Sequence, residues 1–154
     1  MSKKVNKINI YNRKASFEYI FIQEFEAGIV FLATEVKSLR QNQSANIADA
    51  YCYINKGEIF IKNMHIPMLK NAGNEQHDPL RERKLLLTKK KIRKIENELK
   101  NQGLTVVPIA MYTNSTGLVK MKIAISKGKK NFDKRNSIKE QDIKRDTDRT
   151  LKSI

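Results

Sequence analysis

Lysine and arginine are the side chains with which this protein meets other molecules: 31 of them against 16 aspartates and glutamates, a formal charge of +15 and a pI near 9.9. Cations at this density neutralise phosphate and release its condensed counterions, so the charge selects RNA, DNA or an anionic membrane as partner. Residues that would run a catalytic cycle are sparse. The two histidines stand in Met64-His65-Ile66-Pro67 and Gln76-His77-Asp78-Pro79. Beside Asp78, Glu75 or Glu82 an imidazole can act as general base or metal ligand, but neither histidine lies in a ligand-spaced motif. His77-Asp78-Pro79 reads better as a turn, with Asp capping local backbone and Pro fixing φ. Glu26, Glu35 and Asp78 are carboxylates of the kind a divalent-cation nuclease needs, and nothing in their spacing brings them together. There is no P-loop, GxGxxG or nucleophile elbow. Cys52, the single cysteine, excludes an internal disulfide and a Cys-based zinc cluster. Between Tyr51 and Tyr53 it reads as a small buried hydrophobe. The expectation is a binding protein rather than an enzyme, with no metal and no cofactor.

The cations are concentrated at the ends. Residues 1–14 carry Lys3, Lys4, Lys7, Arg13 and Lys14 with no acid, and residues 126–154 carry ten basic side chains against five acidic ones. Each end therefore contributes +5, as much as the whole middle of the chain. Such blocks stay solvated until a partner orders them. The expected organisation is a basic N-terminal arm over 1–14, one folded domain over 15–126, and a basic C-terminal tail over 127–154. No apolar run approaches the roughly 18 residues of a membrane span, and no apolar stretch follows the charged N-terminus as a secretory signal requires. A cytoplasmic location is expected.

The middle must position whatever binds. Phe17–Ile22 and Gly28–Leu32 are short, β-branched and aromatic, and Glu26-Ala27-Gly28 supplies a turn between them, which predicts a hairpin. Tyr51–Ile54 and Glu58–Lys62 flank Asn55-Lys56-Gly57, a tight-turn signal, and predict a second. Leu104–Tyr112 and Leu118–Ile125 form a third pair, with Lys120 and Lys122 on the face opposite Val119, Met121 and Ile123. Thr34–Gln41 is a short basic helix with Thr34 as its N-cap and Glu35 complementing the helix dipole. Thr88–Lys100 is a second helix, with Ile92, Ile95 and Leu99 on one stripe and Gly103 past its end. Its Lys89, Lys90, Lys91, Arg93 and Lys94 read equally as a solvated face and as a nucleic-acid patch. Phe17, Tyr19, Phe21, Tyr51, Tyr53 and Phe60 alternate along strands and read as core, with Tyr19 and Tyr53 the candidates for base stacking. Six short strands around a small helix predict a mainly-β fold, an OB-like closed β-barrel with peripheral helices, because closure removes exposed strand edges. Ser137-Ile138-Lys139-Glu140 forms a capping box, and Ile143, Thr147, Leu151 and Ile154 make a narrow stripe. So thin an apolar stripe predicts a tail disordered when free and helical once bound.

Four segments, in order, resemble the SsrA-binding protein family, also called small protein B: Glu24–Ile29, Thr34–Arg40, Asp78–Leu87 and Lys127–Arg135. The resemblance covers nearly the whole chain. It implies a partner of transfer-messenger RNA, part transfer RNA and part messenger, carried to stalled ribosomes for trans-translation. In that family the barrel grips the tRNA-like region, while the tail enters the decoding centre and the empty messenger channel of the small subunit. The RNA-contacting positions it implies are Asn12, Arg13, Lys14, Glu26, Ala27, Gly28, Lys37, Arg40, Arg83, Lys84 and Leu86. Arg and Lys would neutralise phosphate, Asn12 would read a base edge or a 2′-hydroxyl, and Glu26 would accept hydrogen bonds from base amino groups. Leu86 reads first as a core residue. For the tail the resemblance implies Gly128, Lys129, Lys130, Phe132, Asp133, Lys134 and Arg135 at the decoding centre. Many relatives carry His or Tyr where this chain has Phe132, which keeps a stacking face but cannot donate a hydrogen bond.

Overall fold

A computed structural model describes residues 7–69, 76–101 and 103–129. In chain order the elements are β1 (Asn9–Tyr11), α1 (Arg13–Glu18), β2 (Tyr19–Ile29), α2 (Ala33–Asn42), β3 (Tyr51–Asn55), β4 (Glu58–Lys62), β5 (Arg83–Leu86), α3 (Lys89–Leu99), β6 (Leu104–Thr113) and β7 (Val119–Gly128). All pairings are antiparallel, and the order β6-β3-β4-β5-β2-β7 returns to β6, so six strands close into a ring. β1 adds beside β6, pairing Asn9 to Tyr112 and Tyr11 to Ala110. The protein is mainly β, with three helices packed about the ring.

Closure needs curvature, and two bulges supply it. Ile22 is the extra residue of β2 opposite β7, and Ile109 that of β6. Pro108 precedes the second bulge, where its missing N–H costs the ladder least. The β3–β4 turn has the predicted form: Lys56 at φ 51° and Gly57 at φ 75° give the two left-handed residues of a tight hairpin. Inside, the alternation is strict on β4, where Ile59 and Ile61 are fully buried while Glu58 and Lys62 face water. Met111, Met121, Ile123, Ile125 and Leu85 complete the central packing. α3 adds Ile92 and Ile95 to the same core, capped by Thr88, whose hydroxyl accepts from the Lys91 N–H. Burial pushes the Cys52 thiol pKa far up, so it is an inert core side chain.

Several expectations are corrected. The hairpin over 17–32 does not exist: β2 is one strand of 11 residues running through Glu26-Ala27-Gly28. Alternation explains why, since Phe25 and Ala27 point into the core and Glu24 and Glu26 out, continuing the period of two through the supposed turn. Gly28 serves a close approach instead, because a Cβ there would sit 3.3 Å from Leu86 Cβ on β5. β5 itself carries no alternating pattern long enough to announce a strand. α2 begins at Ala33 with Leu32 at the cap position, so Thr34 is not the N-cap. Residues 9–14, expected within a basic arm, form β1 and the start of α1. None of Phe17, Tyr19, Phe21, Tyr51, Tyr53 and Phe60 is buried; apart from Phe25 the core cluster is aliphatic side chains, methionines and Cys52, and Tyr53 and Phe60 stack on the outer face.

Candidate nucleic-acid interface

Arg83 was expected at the RNA surface, and the structure assigns it elsewhere. It is fully buried: Nε donates to Glu35, Nη1 to the Met64 carbonyl at 2.6 Å and Nη2 to the Pro79 carbonyl at 3.2 Å. Arg81, on the same acid at 2.6 Å, also reaches the Val30 carbonyl. Glu35 is likewise fully buried and accepts from the Leu32 N–H at 2.7 Å, closing the start of α2. Burial pushes the Glu35 carboxyl pKa up, but the hydrogen bonds from Arg81, Leu32 and Arg83 together outweigh it and hold the group below the usual carboxylate range. These charges tie β5 to α2. Arg83, fully buried, is closed off from a phosphate outside.

Asn12 is also structural. Its side chain is buried, with Nδ2 donating to the Ile47 carbonyl at 3.0 Å and to the Pro108 carbonyl at 2.8 Å, and Oδ1 accepting from the Ala15 N–H at 3.0 Å. Both amide donors are used, so Asn12 caps α1 and locks the bulged strand β6 rather than reading a base. Asn12→Ala is expected to lower stability by about 2 kcal/mol, because three buried groups lose their partner at once. Urea unfolding checks this; an unchanged midpoint would refute the structural role.

What remains on the outer face forms one patch. Register places Leu86 beside Gly28, Gly28 beside Lys120, and Lys120 beside Tyr112, in one line across β5, β2, β7 and β6. The next line outward sets Glu26 beside Lys122. Leu86 is 52 % exposed, which overturns the core reading; Leu85 is the inward residue. Ala27, expected at the interface, is wholly buried beneath it. The Tyr112 hydroxyl donates to Glu26 Oε2, and burial first, then this bond, pushes its pKa up to about 12. The phenol therefore remains a donor at neutral pH, and among the described residues Glu26 Oε1 takes no hydrogen bond. Lys122 lies 3.7 Å from Glu24, and Lys120 has no ion pair among the described residues. Tyr112 was not foreseen; its period-two position opposite Lys120 was the available signal.

The other candidate cations sit on α1, α2 and β5. Arg13, Lys37 and Arg40 are exposed on helices α1 and α2, and Lys14 is paired with Asp49 at 2.6 Å. Lys84 pairs with Glu58 at 2.9 Å. Gly128 ends β7, and Lys129 follows it against α1; Lys130, Phe132, Asp133, Lys134, Arg135 and the capping box at Ser137 lie outside the described residues. The Asp78 turn forms as expected, Oδ1 accepting from the Leu80 N–H at 3.0 Å. His65 is exposed; His77 is buried, its Nε2 donating to the Ile66 carbonyl and its Nδ1 bonded to the Thr34 hydroxyl. Glu26 and Glu35 face opposite environments, and among the described residues no three His, Cys, Asp or Glu are grouped to hold a metal. No helix among them is long and apolar enough to cross a membrane.

A closed antiparallel ring, with its buried ions committed to its own architecture and lysines left over outside, defines a small basic β protein with a cationic outer face. Residues 9–153 match the SmpB protein family, and the chain belongs to it. It is 53 % identical over 142 residues to the SsrA-binding protein of Wolbachia pipientis subsp. Culex pipiens, covering 92 % of this chain and 95 % of that one. It is 48 % identical over 149 residues to the SsrA-binding protein of Phocaeicola vulgatus, covering 97 % and 99 %. Among solved structures, a chain from "tmRNA-SmpB: a journey to the center of the bacterial ribosome" superposes with a TM-score of 0.67 at 31 % identity, over 84 % of this chain and 94 % of that one.

Proposed function

We propose that this chain binds transfer-messenger RNA and delivers it to stalled bacterial ribosomes for trans-translation, in the cytoplasm and without making or breaking a bond itself. The observation that carries the site is the outer patch of Glu26, Gly28, Leu86, Lys120, Lys122 and Tyr112, joined by strand register from four separate segments. The ring acts as an OB-like barrel presenting that patch to the tRNA-like region. Lys120 and Lys122 neutralise phosphate, and Arg13, Lys14, Lys37 and Arg40 extend the positive surface. Lys14 exchanges an exposed partner, Asp49, for phosphate at little cost. Glu26, oriented by Tyr112, accepts through Oε1 from the amino group of a guanine or cytosine, and Leu86 packs on the exposed face of a base or sugar. Lys84, at the edge of the patch, adds a further cation. Asn12, Ala27 and Arg83 hold the scaffold rather than touch RNA. The tail from Gly128 and Lys129 through Lys130, Phe132, Asp133, Lys134 and Arg135 enters the decoding centre and messenger channel, Phe132 stacking on a ribosomal base.

Glu26→Ala and Leu86→Ala are each expected to weaken transfer-messenger RNA binding about tenfold, the scale of one charge-assisted hydrogen bond or one buried side chain. Binding of an unrelated RNA of equal length should hardly change, because phosphate contacts carry no sequence information. Lys120→Ala and Lys122→Ala should each reduce the salt dependence, log K against log salt, by about 1. Salt-titrated binding to transfer-messenger RNA, bulk transfer RNA and the unrelated RNA measures all three. Equal affinity for all three RNAs that collapses together with salt would reduce the protein to a generic basic binder.

A further inference from the structure

We propose a second RNA site, for an unpaired base, in the groove between α3 and the outer face of β3. The groove holds about 500 Å³ and is lined by Tyr51 and Tyr53 on one side and by Glu96, Leu99 and Lys100 on the other. Tyr53 stacks on Phe60 across the β3–β4 hairpin, ring centroids 5.7 Å apart, which holds its ring in place before any ligand arrives. Tyr51, on the same face two residues earlier, is 38 % exposed. Aromatic rings on an outer sheet face beside a lysine are the means by which a strand without fixed sequence is held: bases stack, and the cation follows the backbone. β4 and β5 separate this site from the strand of Glu26, and it does not depend on what RNA that patch binds.

The charge around the groove selects the occupant. Lys89, Lys90, Lys91, Arg93 and Lys94 are exposed on α3, and none of them has an ion-pair partner among the described residues. A second cleft of about 450 Å³ continues past the shared Glu96, between α3 and the β3–β4 turn, and is lined by Lys56, Lys89 and Arg93. Together the two clefts give a path in which a base enters between the tyrosines and α3 while the backbone runs along the cations. Both ends of this chain are themselves cationic, and a second copy carries +15, so neither fits. A base-paired duplex hides the base faces that the tyrosines offer to stack on. Glu96 supplies the acceptor that a base amino group or a 2′-hydroxyl requires.

The test uses the full chain and an end-labelled oligo(U) of about ten nucleotides, within the usual site size for such surfaces. An RNA hairpin of equal charge and polyglutamate serve as competitors. Tyr53→Ala and Tyr51→Ala are each expected to weaken oligo(U) binding about tenfold with the salt slope unchanged, and Tyr53→Phe to restore it. Changing Lys56, Lys89 and Arg93 together to Gln should lower the salt slope by about 2, at about 0.7 for each single-strand phosphate contact. Glu26→Ala should leave oligo(U) binding untouched, which separates this site from the patch on β2. Thermal melts show that each variant folds, and exposed Tyr51 carries the test if Tyr53→Ala does not fold. Unchanged oligo(U) affinity in both tyrosine variants, or a hairpin that competes equally well, overturns the proposal. Polyglutamate competing equally well overturns it in favour of an acidic protein partner.

Discussion

Glu35→Ala is expected to cost about 3–5 kcal/mol of folding stability, which lowers the thermal midpoint by on the order of 10 °C. The loss does not come from the attraction of one ion pair. Two charges in a low-dielectric interior gain little over water once their desolvation is subtracted, but removing one of them strands the other. Arg83 is the stranded group: it is fully buried and always protonated, its Nε loses the acid it donates to, and the two carbonyls on Nη1 and Nη2 do not neutralise its charge. Arg81 is 30 % exposed and can turn to water, so the penalty falls on Arg83. Exchanging Glu35 and Arg83 together for apolar residues of matching volume should therefore cost much less than Glu35→Ala alone. The pH dependence has a definite sign. A carboxyl held below its unfolded pKa contributes stability that is fully present above the ordinary value of 4.5 and is lost as pH falls through the folded pKa. The gap between parent and Glu35→Gln should thus narrow in acid and be constant from pH 6 upward. Denaturant melts across that range check it, and a gap that widens in acid would mean that Glu35 is not ionised in the folded protein.

Glu35 also marks where the sequence could be read and where it could not. The basic surplus, the β3–β4 turn, the β6–β7 pair and α3 were legible because each is local: a glycine at a left-handed position, a period of two, a period of 3.6 with a threonine cap. Glu35 in the first turn of α2 looked like a dipole complement, since a sequence shows neighbours along the chain and not Arg81 and Arg83, 46 and 48 residues away. Asn12 and Arg83 misled for a related reason. Residue types suited to RNA are equally suited to satisfying buried carbonyls, and only burial separates the two uses. By pattern Gly28 looks like a turn, whereas its work is to admit Leu86, a contact made through register with a strand that no local pattern announces. Leu86 and its neighbour Leu85 are equally apolar, and β5 is too short for alternation to decide which of the two faces the core. The outer patch is therefore half legible: Glu26, Gly28 and Leu86 through the resemblance, Lys120 and Lys122 only as lysines on one face of their strand, and Tyr112 only from the pairing.

Ending the chain at Lys129 is expected to abolish peptide tagging on stalled ribosomes while leaving transfer-messenger RNA bound with nearly parental affinity. The cut spares the body for a structural reason. β7 closes the ring up to Gly128, and Lys129 is held on α1 by its N–H donating to the Glu18 carbonyl at 2.8 Å and its Nζ to the Ser16 carbonyl at 3.3 Å. The unfolding midpoint should therefore be unchanged. Residues 130–154 carry eight basic and five acidic side chains, so their loss removes only +3 of the +15 and should weaken the salt dependence of RNA binding slightly. Charge alone then cannot account for a complete loss of tagging, and three further variants separate it from sequence. A tail of the same composition in scrambled order keeps the charge and loses Phe132 from its place before Asp133. It should fail to tag, whereas Phe132→Tyr should tag as the parent does and Phe132→Ala should fall by about tenfold, the scale of one lost base stack. Tagging of a stalled reporter, with RNA binding measured on the same preparations, reads all four. Restoration of tagging by the scrambled tail would show that the ribosome recognises a polycation there, and Phe132 would lose its assigned role.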